Sequence, residues 1–322
     1  MKALVTGCAG FIGSQLCEKL LSEKFEVIGV DVLTDYYDPE IKKSNLRNLI
    51  NSSGFTFIQS DLMAADFTEL AKEIDFVFHL AAQPGVRGSW GDKFSTYVTN
   101  NILTTQRLLE ATKNSHKLKK VVYASSSSVY GQIKEENVNE DHKTAPHSPY
   151  GATKLAGENL CFLYDANYGM PVVSLRLFTV YGPRQRPDMA FAKLIHAGMS
   201  GKKFPLYGDG KQERDFTFVL DVVEGMRLAA LSADARGIFN IGGGHVVSMQ
   251  TVIGLIEEIL GSKINIEYKN LERGDVRRTS ADISKSREVL GFAPKHDIKT
   301  GLQRQVEFMQ KHFDLYANSI GF

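Results

Sequence analysis

Tyr150 and Lys154, a tyrosine and a lysine four residues apart, are side chains that could do acid–base chemistry. They follow Pro149, whose fixed φ and missing N–H suit the first turn of a helix. In a helix the two side chains stand on one face. A phenol loses its proton near pH ~10, and a nearby ammonium lowers that pKa by favouring the phenolate. The spacing predicts that Tyr150 exchanges protons with a hydroxyl group near neutral pH; the alternative is a surface helix with an ordinary Tyr and Lys.

Chain length, composition and net charge indicate an ordinary globular protein with a small ligand. The 322 residues suffice for one large domain or for a large and a small one. Charged residues make up 23% and hydrophobic ones 43%. A net charge of +1 predicts neither a nucleic-acid partner nor a membrane-surface patch. The chain opens directly on a buried-strand pattern without a signal peptide, and no apolar run approaches the ~20 residues of a membrane span.

The cysteines favour a reducing compartment. Cys8, Cys17 and Cys161 are far apart, odd in number and without metal-ligand spacing. We therefore expect a cytoplasmic protein with no structural or catalytic metal.

A glycine-rich loop lies between a predicted strand, Lys2–Thr6, and a predicted helix, Phe11–Leu21. Its glycines would let the backbone turn tightly, approach a pyrophosphate and pack the helix close to the sheet. The phosphates would then sit on the N–H groups of the helix N-terminus. The GxxGxxG spacing is weak evidence alone, but its strand-to-helix context strengthens it. The residues assigned to this loop are Gly7, Gly10, Phe11, Ile12 and Gly13.

Asp31 ends the next predicted strand, Glu26–Asp31. Its carboxylate can accept hydrogen bonds from a ribose 2′-hydroxyl and would repel a 2′-phosphate, which favours NAD over NADP. The alternative is that Asp31 is only a turn residue at the strand end.

Strands and helices continue to alternate over the first half of the chain, which predicts an α/β fold with a doubly wound parallel sheet of the Rossmann type. Ligands bind beyond the carboxyl ends of such strands. The further predicted strands are Phe55–Ser60, Phe76–Ala82, Lys119–Ser126 and Pro171–Leu177, with a helix at Asp92–Ser115. The residues expected at the cofactor from these strand ends are Asp61 and Leu62, which would meet the adenine, and Leu80, Ala81 and Ala82.

The composition changes after Leu177, where Gly, Pro and Arg become frequent. A helix region at Phe216–Leu231 and a strand at Gly237–Gly242 would return to the sheet. We predict a nucleotide-binding domain of residues 1–177 joined by 215–243. A smaller C-terminal lobe, residues 178–214 and 244–322, would bind the substrate. The elements predicted in its last part are a helix at Ser248–Leu260, a strand at Ile264–Lys269, and helices near Asp282 and Lys299.

Ser126 completes a pattern, because it ends the fifth strand in a serine-rich segment ahead of Tyr150 and Lys154. The alternative is a solvated serine-rich turn. Together with the glycine loop and Asp31, in this order, the chain resembles the extended short-chain dehydrogenase/reductase family. The resemblance runs from Lys2 to about Phe308 and is to the NAD-dependent nucleotide-sugar epimerases and dehydratases.

The resemblance implies a role for each matching residue. Ser126 would hydrogen-bond the reacting oxygen, Tyr150 would be the acid/base, and Lys154 would hold the nicotinamide ribose while lowering the pKa of Tyr150. It also implies a homodimer formed through the helices Asp92–Ser115 and Pro149–Tyr168. The substrate contacts that it implies are Asn100 and Ser127, Pro205 and Tyr207 around a uracil, and Arg214, Arg277 and Arg278 in segments that contact the diphosphate and nucleotide.

Residues that differ from those of related subgroups narrow the choice of reaction. Sugar 4,6-dehydratases carry Asp-Glu where this chain has Ser127 and Ser128, and UDP-xylose-forming decarboxylases carry Glu at the second position. Hydroxyl groups there favour epimerisation. UDP-galactose-type epimerases show Asn-Pro at Thr179 and Val180, whereas residues 178–190 resemble the UDP-glucuronate 4-epimerases.

The same segment offers groups that bind a carboxylate. The hydroxyl of Thr179 and the guanidinium of Arg87 or Arg186 could hold a sugar C5 carboxylate, since arginine presents a matching fork. Alternatively these arginines bind only phosphates or solvent, and the sequence leaves open which of Arg87, Arg184 and Arg186 reaches the sugar.

The resulting hypothesis is NAD-dependent 4-epimerisation of UDP-glucuronate to UDP-galacturonate through a transient 4-keto sugar. The alternatives are a UDP-hexose 4-epimerase of broader specificity and a UDP-glucuronate decarboxylase. A non-catalytic NAD-binding sensor is a third possibility, against which the complete set of Ser126, Tyr150 and Lys154 counts.

Overall fold

The computed structural model describes residues 1–132, 137–270 and 277–321, and its centre is a parallel sheet of 7 strands. The strands, in chain order, are β1 Lys2–Thr6, β2 Glu26–Asp31, β3 Phe55–Gln59, β4 Phe76–His79, β5 Lys120–Ser126, β6 Val172–Leu177, β7 Thr179–Tyr181, β8 Phe204–Tyr207, β9 Glu213–Phe218, β10 Gly237–Ile241, β11 Val246–Ser248 and β12 Ile266–Lys269. The helices are α1 Phe11–Ser22, α2 Pro39–Ile50, α3 Thr68–Ala71, α4 Phe94–Tyr97, α5 Thr104–Thr112, α6 Pro149–Tyr168, α7 Ala190–Ser200, α8 Val219–Leu231, α9 Met249–Leu260, α10 Ser284–Leu290, α11 Ile298–Lys311 and α12 Phe313–Ala317.

The main sheet has the order β10-β6-β5-β4-β1-β2-β3, which confirms the predicted doubly wound fold. The winding reverses between β1 and β4, the point at which open α/β sheets bind ligands. Thr6 at the end of β1 pairs with Val30 on one side and with His79 on the other. The carboxyl ends of the three strands are therefore level, and the loops that follow them meet.

The two faces of the sheet bury two separate hydrophobic clusters, because successive side chains of a strand point to opposite sides. Val5 of β1 packs with Leu16 of α1 and Met226 of α8 in one cluster. Leu4, its neighbour, lies in the other cluster with residues of α5 and α6, including Tyr164. Both faces are covered by helices, as expected for a parallel sheet.

Helix α6, which carries Tyr150 and Lys154, is fastened to the sheet by a buried ion pair. Arg176 of β6 donates from Nε and Nη2 to the carboxylate of Glu158, at 2.9 and 2.8 Å. Both side chains are at most 3% exposed. Ser125 of β5 donates to the same carboxylate. Glu158 stands one turn beyond Lys154, so this contact fixes the register of α6 on β5 and β6.

The C-terminal lobe contains two small sheets. One joins β7, β9 and β11, and the other pairs β8 with β12. Strand β10 leaves this region and pairs with β6, so the predicted return to the main sheet is confirmed. The domain boundaries drawn from the sequence stay a prediction.

The helix predicted at Asp92–Ser115 runs without a gap from Gly91 to Thr112, but it is not α-helical throughout. A 3₁₀ turn, Gly91–Lys93, leads into α4, and a π-helical segment, Val98–Leu103, separates α4 from α5, which ends at Thr112. Such π segments are frequent at functional sites, since the extra residue per turn redirects neighbouring side chains. The apolar pattern of the sequence predicted the helix correctly but did not indicate its π-helical segment.

Two further differences have local causes. Phe216, predicted as helical, lies in β9, which pairs with β7, and the helix begins only at Val219. The strand predicted to reach Ala82 stops at His79: the N–H of Leu80 is shared between the carbonyl oxygen and the hydroxyl of Thr6, and the N–H of Ala81 donates to that hydroxyl. Helices α2 and α7 were not predicted.

The cysteines and the helices are relevant to the predicted cytoplasmic location and to the expected absence of a metal. Cys8, Cys17 and Cys161 are buried free thiols. No helix among the described residues has the length and apolar character to cross a membrane, and within the same ranges no His, Cys, Asp and Glu side chains group as metal ligands. The cytoplasmic location stays a prediction.

The buried pair of α6 gives a test of the fold. Arg176→Met leaves the Glu158 charge buried without its partner and should lower the free energy of unfolding by about 3–5 kcal/mol in urea denaturation. The double change Arg176→Met/Glu158→Leu should restore much of the loss, because no buried charge remains. The exposed pair of Lys299 and Glu258 is the control, and Glu258→Ala should cost less than about 1 kcal/mol. Equal costs for the Arg176 and Glu258 variants would contradict the role given to Glu158.

Candidate active site

A cleft of about 420 Å³ runs along the carboxyl edge of the sheet, from the glycine loop to Tyr150. All the residues predicted to bind the cofactor line this cleft: Gly7, Gly10, Phe11, Ile12, Gly13, Asp31, Asp61, Leu62, Leu80, Ala81, Ala82, Tyr150 and Lys154. The sequence therefore predicted which residues meet here, although they come from five separate segments of the chain.

The glycine loop has the geometry of a phosphate cradle. Gly7 has φ +72°, a conformation that other residues rarely adopt. A Cβ on Gly13 would lie only 2.2 Å from the Gly7 carbonyl oxygen, so the loop and α1 approach each other as closely as glycine permits. Helix α1 begins at Phe11, and its first N–H groups have no acceptor within the helix. These features fit the pyrophosphate of a dinucleotide.

Asp31 lies at the other side of the loop. Its carboxylate accepts hydrogen bonds from the N–H groups of Ala9, at 3.1 Å, and Leu33, at 2.8 Å. An acceptor in this position fits a ribose hydroxyl. The ammonium of Lys42 lies 3.9 Å from the same carboxylate and donates to Thr34.

Lys42, Tyr36 and Tyr37 also line the cleft, and the sequence analysis did not assign them to it. A signal for Lys42 was present, since Asp38 caps α2 through the N–H of Glu40 and is followed by Pro39. Recognising that helix would have placed Lys42 one turn inside it, facing Asp31.

Tyr150 is half-buried beside two polar partners, Ser126 and Arg186. Burial raises its pKa, whereas a hydrogen bond with Ser126 and the positive charge of Arg186 lower it, and burial prevails. The edge of its ring also meets Tyr97, with the centroids 6.3 Å apart. The lowered pKa predicted from the sequence is therefore not present in the protein alone, because the cost of burying a phenolate outweighs the neighbouring charge.

Lys154, one turn after Tyr150 on α6, is held at the end of β5, and its predicted role stays a prediction. Its ammonium donates to the carbonyl oxygen of Ala124 at 2.8 Å and lies 5.1 Å from the centre of the Tyr123 ring. Burial lowers the pKa of Lys154 to about 8, although the charges of Cys161 and Glu158 oppose the shift. The ammonium is thus the main form at pH 7, held against the end of β5.

The π-helical segment sends two consecutive asparagines in different directions. Asn100 lines the cleft. Asn101 is buried, accepts from the N–H of Gln83 at 2.6 Å, and donates to Thr153 of α6 at 2.9 Å. It thereby joins the loop after β4 to the catalytic helix, a contact that the sequence analysis missed.

The three arginines left open by the sequence have different surroundings. Arg186 lines the cleft and is near enough to Tyr150 to influence its pKa. Arg184 faces α1, where it bonds Ser14 at 3.1 Å and Glu18 at 2.6 Å. The guanidinium of Arg87 stacks on the ring of Tyr207, 4.2 Å from its centre.

The remaining predicted substrate residues lie outside the lining of this cleft. Ser127 begins a 3₁₀ turn after β5, and Thr179 begins β7. Pro205 and Tyr207 lie on β8, where Tyr207 is covered by Arg87.

Three arginines predicted near the diphosphate and nucleotide meet beside β9. The guanidinium of Arg214 donates to the carbonyl oxygen of Arg277 at 3.2 Å, and Nε of Arg278 lies 3.6 Å from the Glu213 carboxylate. Residues 274–276, which precede Arg277 in the same predicted contact segment, lie outside the described residues.

The chain is similar to known proteins over nearly its whole length. The UDP-glucuronate 4-epimerase of Thermodesulfobacterium geofontis is 40% identical over 318 residues, which cover 97% of this chain and 97% of the relative. A Bacillus subtilis protein described as an uncharacterized UDP-glucose epimerase is 46% identical over 314 residues, 96% of this chain and 98% of that protein. The crystal structure of UDP-glucuronic acid 4-epimerase from Bacillus cereus, in complex with UDP-glucuronic acid and NAD, has a TM-score of 0.93 and 44% identity. That match covers 97% of this chain and 99% of the other.

The sequence also matches a family as a whole. The model of the family described as "NAD dependent epimerase/dehydratase family" matches residues 3–242, which contain the glycine loop, Asp31, Ser126, Tyr150 and Lys154. The chain therefore belongs to the NAD dependent epimerase/dehydratase family.

Proposed function

We propose that this protein interconverts UDP-glucuronate and UDP-galacturonate by NAD-dependent epimerisation at C4. The observation that carries the proposal is the placement of Arg186 in the same cleft as Tyr150 and the glycine loop. A guanidinium next to the acid/base is suited to a sugar that carries a carboxylate near its reacting carbon. Relatives named UDP-glucuronate 4-epimerase, with 40% and 44% identity, support it.

Tyr150 moves the proton in this mechanism. Its phenolate takes the proton of the C4 hydroxyl while Ser126 donates a hydrogen bond to the reacting oxygen. NAD, when bound by the glycine loop and Asp31, would supply reversible hydride chemistry at C4 and a positively charged nicotinamide ring in the cleft. That charge favours the phenolate, which burial alone opposes. The net redox change is zero, so the cofactor is regenerated in each turnover.

The remaining residues bind and orient. Lys154 is held at the end of β5 by Ala124, where its ammonium can bond the nicotinamide ribose. The 4-keto sugar rotates about its diphosphate linkage, so that its other face meets the cofactor. Arg214, Arg277 and Arg278 would hold the phosphates, and Tyr207 with Pro205 the uracil, during this rotation.

The carboxylate has to be controlled as well as bound. A ketone at C4 is β to the carboxylate, and such acids lose carbon dioxide when the breaking bond lies perpendicular to the ketone plane. Arg186 lines the cleft and Thr179 begins β7, seven residues earlier in the chain, and we assign both to holding the carboxylate near that plane. Fixing a reacting group in one geometry can change rates by orders of magnitude.

A UDP-hexose 4-epimerase is the second candidate. The Bacillus subtilis relative with 46% identity is described as a UDP-glucose epimerase, which favours it. Arg186 in the cleft favours the acid sugar instead. The hydroxyls of Ser127 and Ser128, in place of carboxyl groups, argue against a decarboxylase, and the assembled Ser126–Tyr150 pair argues against a sensor without turnover.

We also infer a homodimer formed through α6 and the helical stretch that packs beside it. The outer side of α6 exposes apolar side chains, with Phe162 at 69% and Leu163 at 50% exposure. Leu103, at 44%, adds to this on the neighbouring stretch. Burying these groups against a second copy would remove apolar surface from water.

Tyr150→Phe tests the acid/base. Wild-type protein with NAD should convert UDP-glucuronate into UDP-galacturonate, and the variant should lose about 10²–10⁴-fold in kcat. NAD binding, measured by fluorescence titration, should change little, since only the proton-transferring hydroxyl is gone. Near-normal turnover by the variant would remove Tyr150 from the mechanism, and a wild-type protein that epimerises only UDP-glucose would favour the second candidate.

Arg186→Ala and Thr179→Ala test the carboxylate contact. Both variants should bind UDP-glucuronate about tenfold or more weakly, the scale of a lost charged hydrogen bond, and release a larger share of decarboxylated UDP-pentose. UDP-glucose, which lacks the carboxylate, is the control and should bind as to wild type. Normal UDP-glucuronate binding without extra carbon dioxide in both variants would refute the assignment to an acid sugar.

Phe162→Glu tests the dimer. A charge placed in a buried apolar interface should shift size-exclusion chromatography with light scattering from dimer to monomer mass. Tyr268→Glu, at an equally exposed aromatic of the C-terminal lobe, is the matched control and should leave the mass unchanged. A wild-type protein that is monomeric at micromolar concentration would rule the interface out.

A further inference from the structure

Arg186 is already paired with an acid before any substrate arrives. Its Nε donates to Oδ1 of Asp188 at 2.9 Å, and its Nη2 donates to Oδ2 at 3.0 Å. This fork uses one edge of the planar guanidinium. The outer edge, formed by Nη1 and the second N–H of Nη2, has the same fork geometry and suits a second carboxylate.

The chain around this pair is held on both sides. Arg184 has φ +66° and is anchored to α1, while the amide of Gln185 donates to the carbonyl oxygen of Val180 and accepts from Ala192 of α7. Asp188 lies two residues before α7, and the turn closes where the N–H of Met189 donates to the carbonyl oxygen of Arg186. The pair is thus part of a rigid turn and differs from a chance ion pair between mobile surface side chains.

Tyr36, from the loop after β2, completes the surroundings. Its hydroxyl lies 3.4 Å from Oδ2 of Asp188, and its ring centre is 6.0 Å from the guanidinium carbon of Arg186. The guanidinium side chain is 19% exposed and the Asp188 side chain 36%. Arg186 therefore faces the cleft in a setting with limited water, where a neighbouring charge has a strong effect.

We propose that Asp188 is a specificity-determining residue that neutralises the sugar-carboxylate site while aiming its guanidinium. This rests on the proposed function, in which Arg186 binds the C5 carboxylate. The acid takes the inner edge of Arg186, so the outer edge is presented at a fixed angle. It also cancels the charge, so the substrate carboxylate is recognised by two directed hydrogen bonds and not by a full opposite charge.

The reaction gives this neutralisation a purpose. The sugar ring has to turn over between the two hydride transfers, and its carboxylate must leave the clamp and return to it. A lone guanidinium in a partly buried site would hold the carboxylate strongly and slow that rotation. An Arg–Asp pair holds it by direction and releases it at lower cost.

Asp188→Asn separates charge from shape, because the amide keeps the size of the side chain and one acceptor for Arg186. In a Tyr150→Phe background, which stops turnover, calorimetry on NAD-loaded protein measures the Kd of each UDP-sugar. The Asn variant should bind UDP-glucuronate about tenfold more tightly, and UDP-glucose within about twofold of the parent. With Tyr150 intact, the same change should lower both KM and kcat for UDP-glucuronate.

Two further variants show whether the effect runs through Arg186. Glu18→Gln removes the acid partner of Arg184, outside the cleft, and should leave both affinities unchanged. Adding Asp188→Asn to Arg186→Ala should give no tightening, since the guanidinium is gone.

The outcomes distinguish this proposal from the proposed function. If Arg186→Ala binds UDP-glucuronate normally, the acid-sugar assignment fails and this proposal fails with it. If Arg186→Ala loses that binding while Asp188→Asn leaves it unchanged or weakens it, only the neutralising role of Asp188 is overturned. An equal change for UDP-glucose and UDP-glucuronate would also overturn it, because the effect would then not involve the carboxylate.

Discussion

The seating of helix α6 on strands β5 and β6 is the contact on which the reactive centre depends. The buried Glu158 carboxylate receives Arg176 from β6 and Ser125 from β5, and one turn earlier Lys154 donates to Ala124. These bonds are spaced along one face of the helix, so they fix both its rotation and its position along the strands. As a result Tyr150, one turn before Lys154 on the same helix, is placed against Ser126.

In the protein alone, burial disfavours the charged forms of both Tyr150 and Lys154. It raises the pKa of Tyr150 and lowers that of Lys154, so the phenolate–ammonium form is opposed at both groups. The same low-dielectric surroundings that oppose charge also strengthen any charge brought close by. Under the proposed function, the positive charge of bound NAD would complete this site and activate Tyr150 as the acid–base group.

The sequence predicted correctly those helices and strands whose ends depend on neighbouring residues. The bounds of Lys2–Thr6, Glu26–Asp31 and Pro149–Tyr168 agree with the structure because apolar runs, caps and a helix-starting proline are written in neighbouring residues. The residues at the strand ends then follow from the geometry of a parallel sheet. The direction of the Tyr150 pKa was wrong, because it depends on how completely distant segments cover the ring.

Contacts across the chain account for what was missed. Helix spacing placed Lys154 beside Tyr150, but the ammonium bonds a carbonyl of β5, a strand more than twenty residues earlier. The π-helical segment Val98–Leu103 contains Asn101, which bonds Gln83 after β4 and Thr153 of α6. Contacts of this kind, between residues far apart in the chain, leave no periodic pattern in the sequence.

The strand order also has a consequence for how the protein is made. Strand β6 at Val172–Leu177 gains its outer neighbour only from β10 at Gly237–Ile241, after the chain has passed through much of the C-terminal lobe. At synthesis rates of about 5–20 residues per second, the growing chain exposes an open, apolar sheet edge for seconds. Open edges pair readily with other chains. A ribosome that paused between β6 and β10 would lengthen that exposure, so the speed of translation across this interval bears on how much of the protein folds without aggregating.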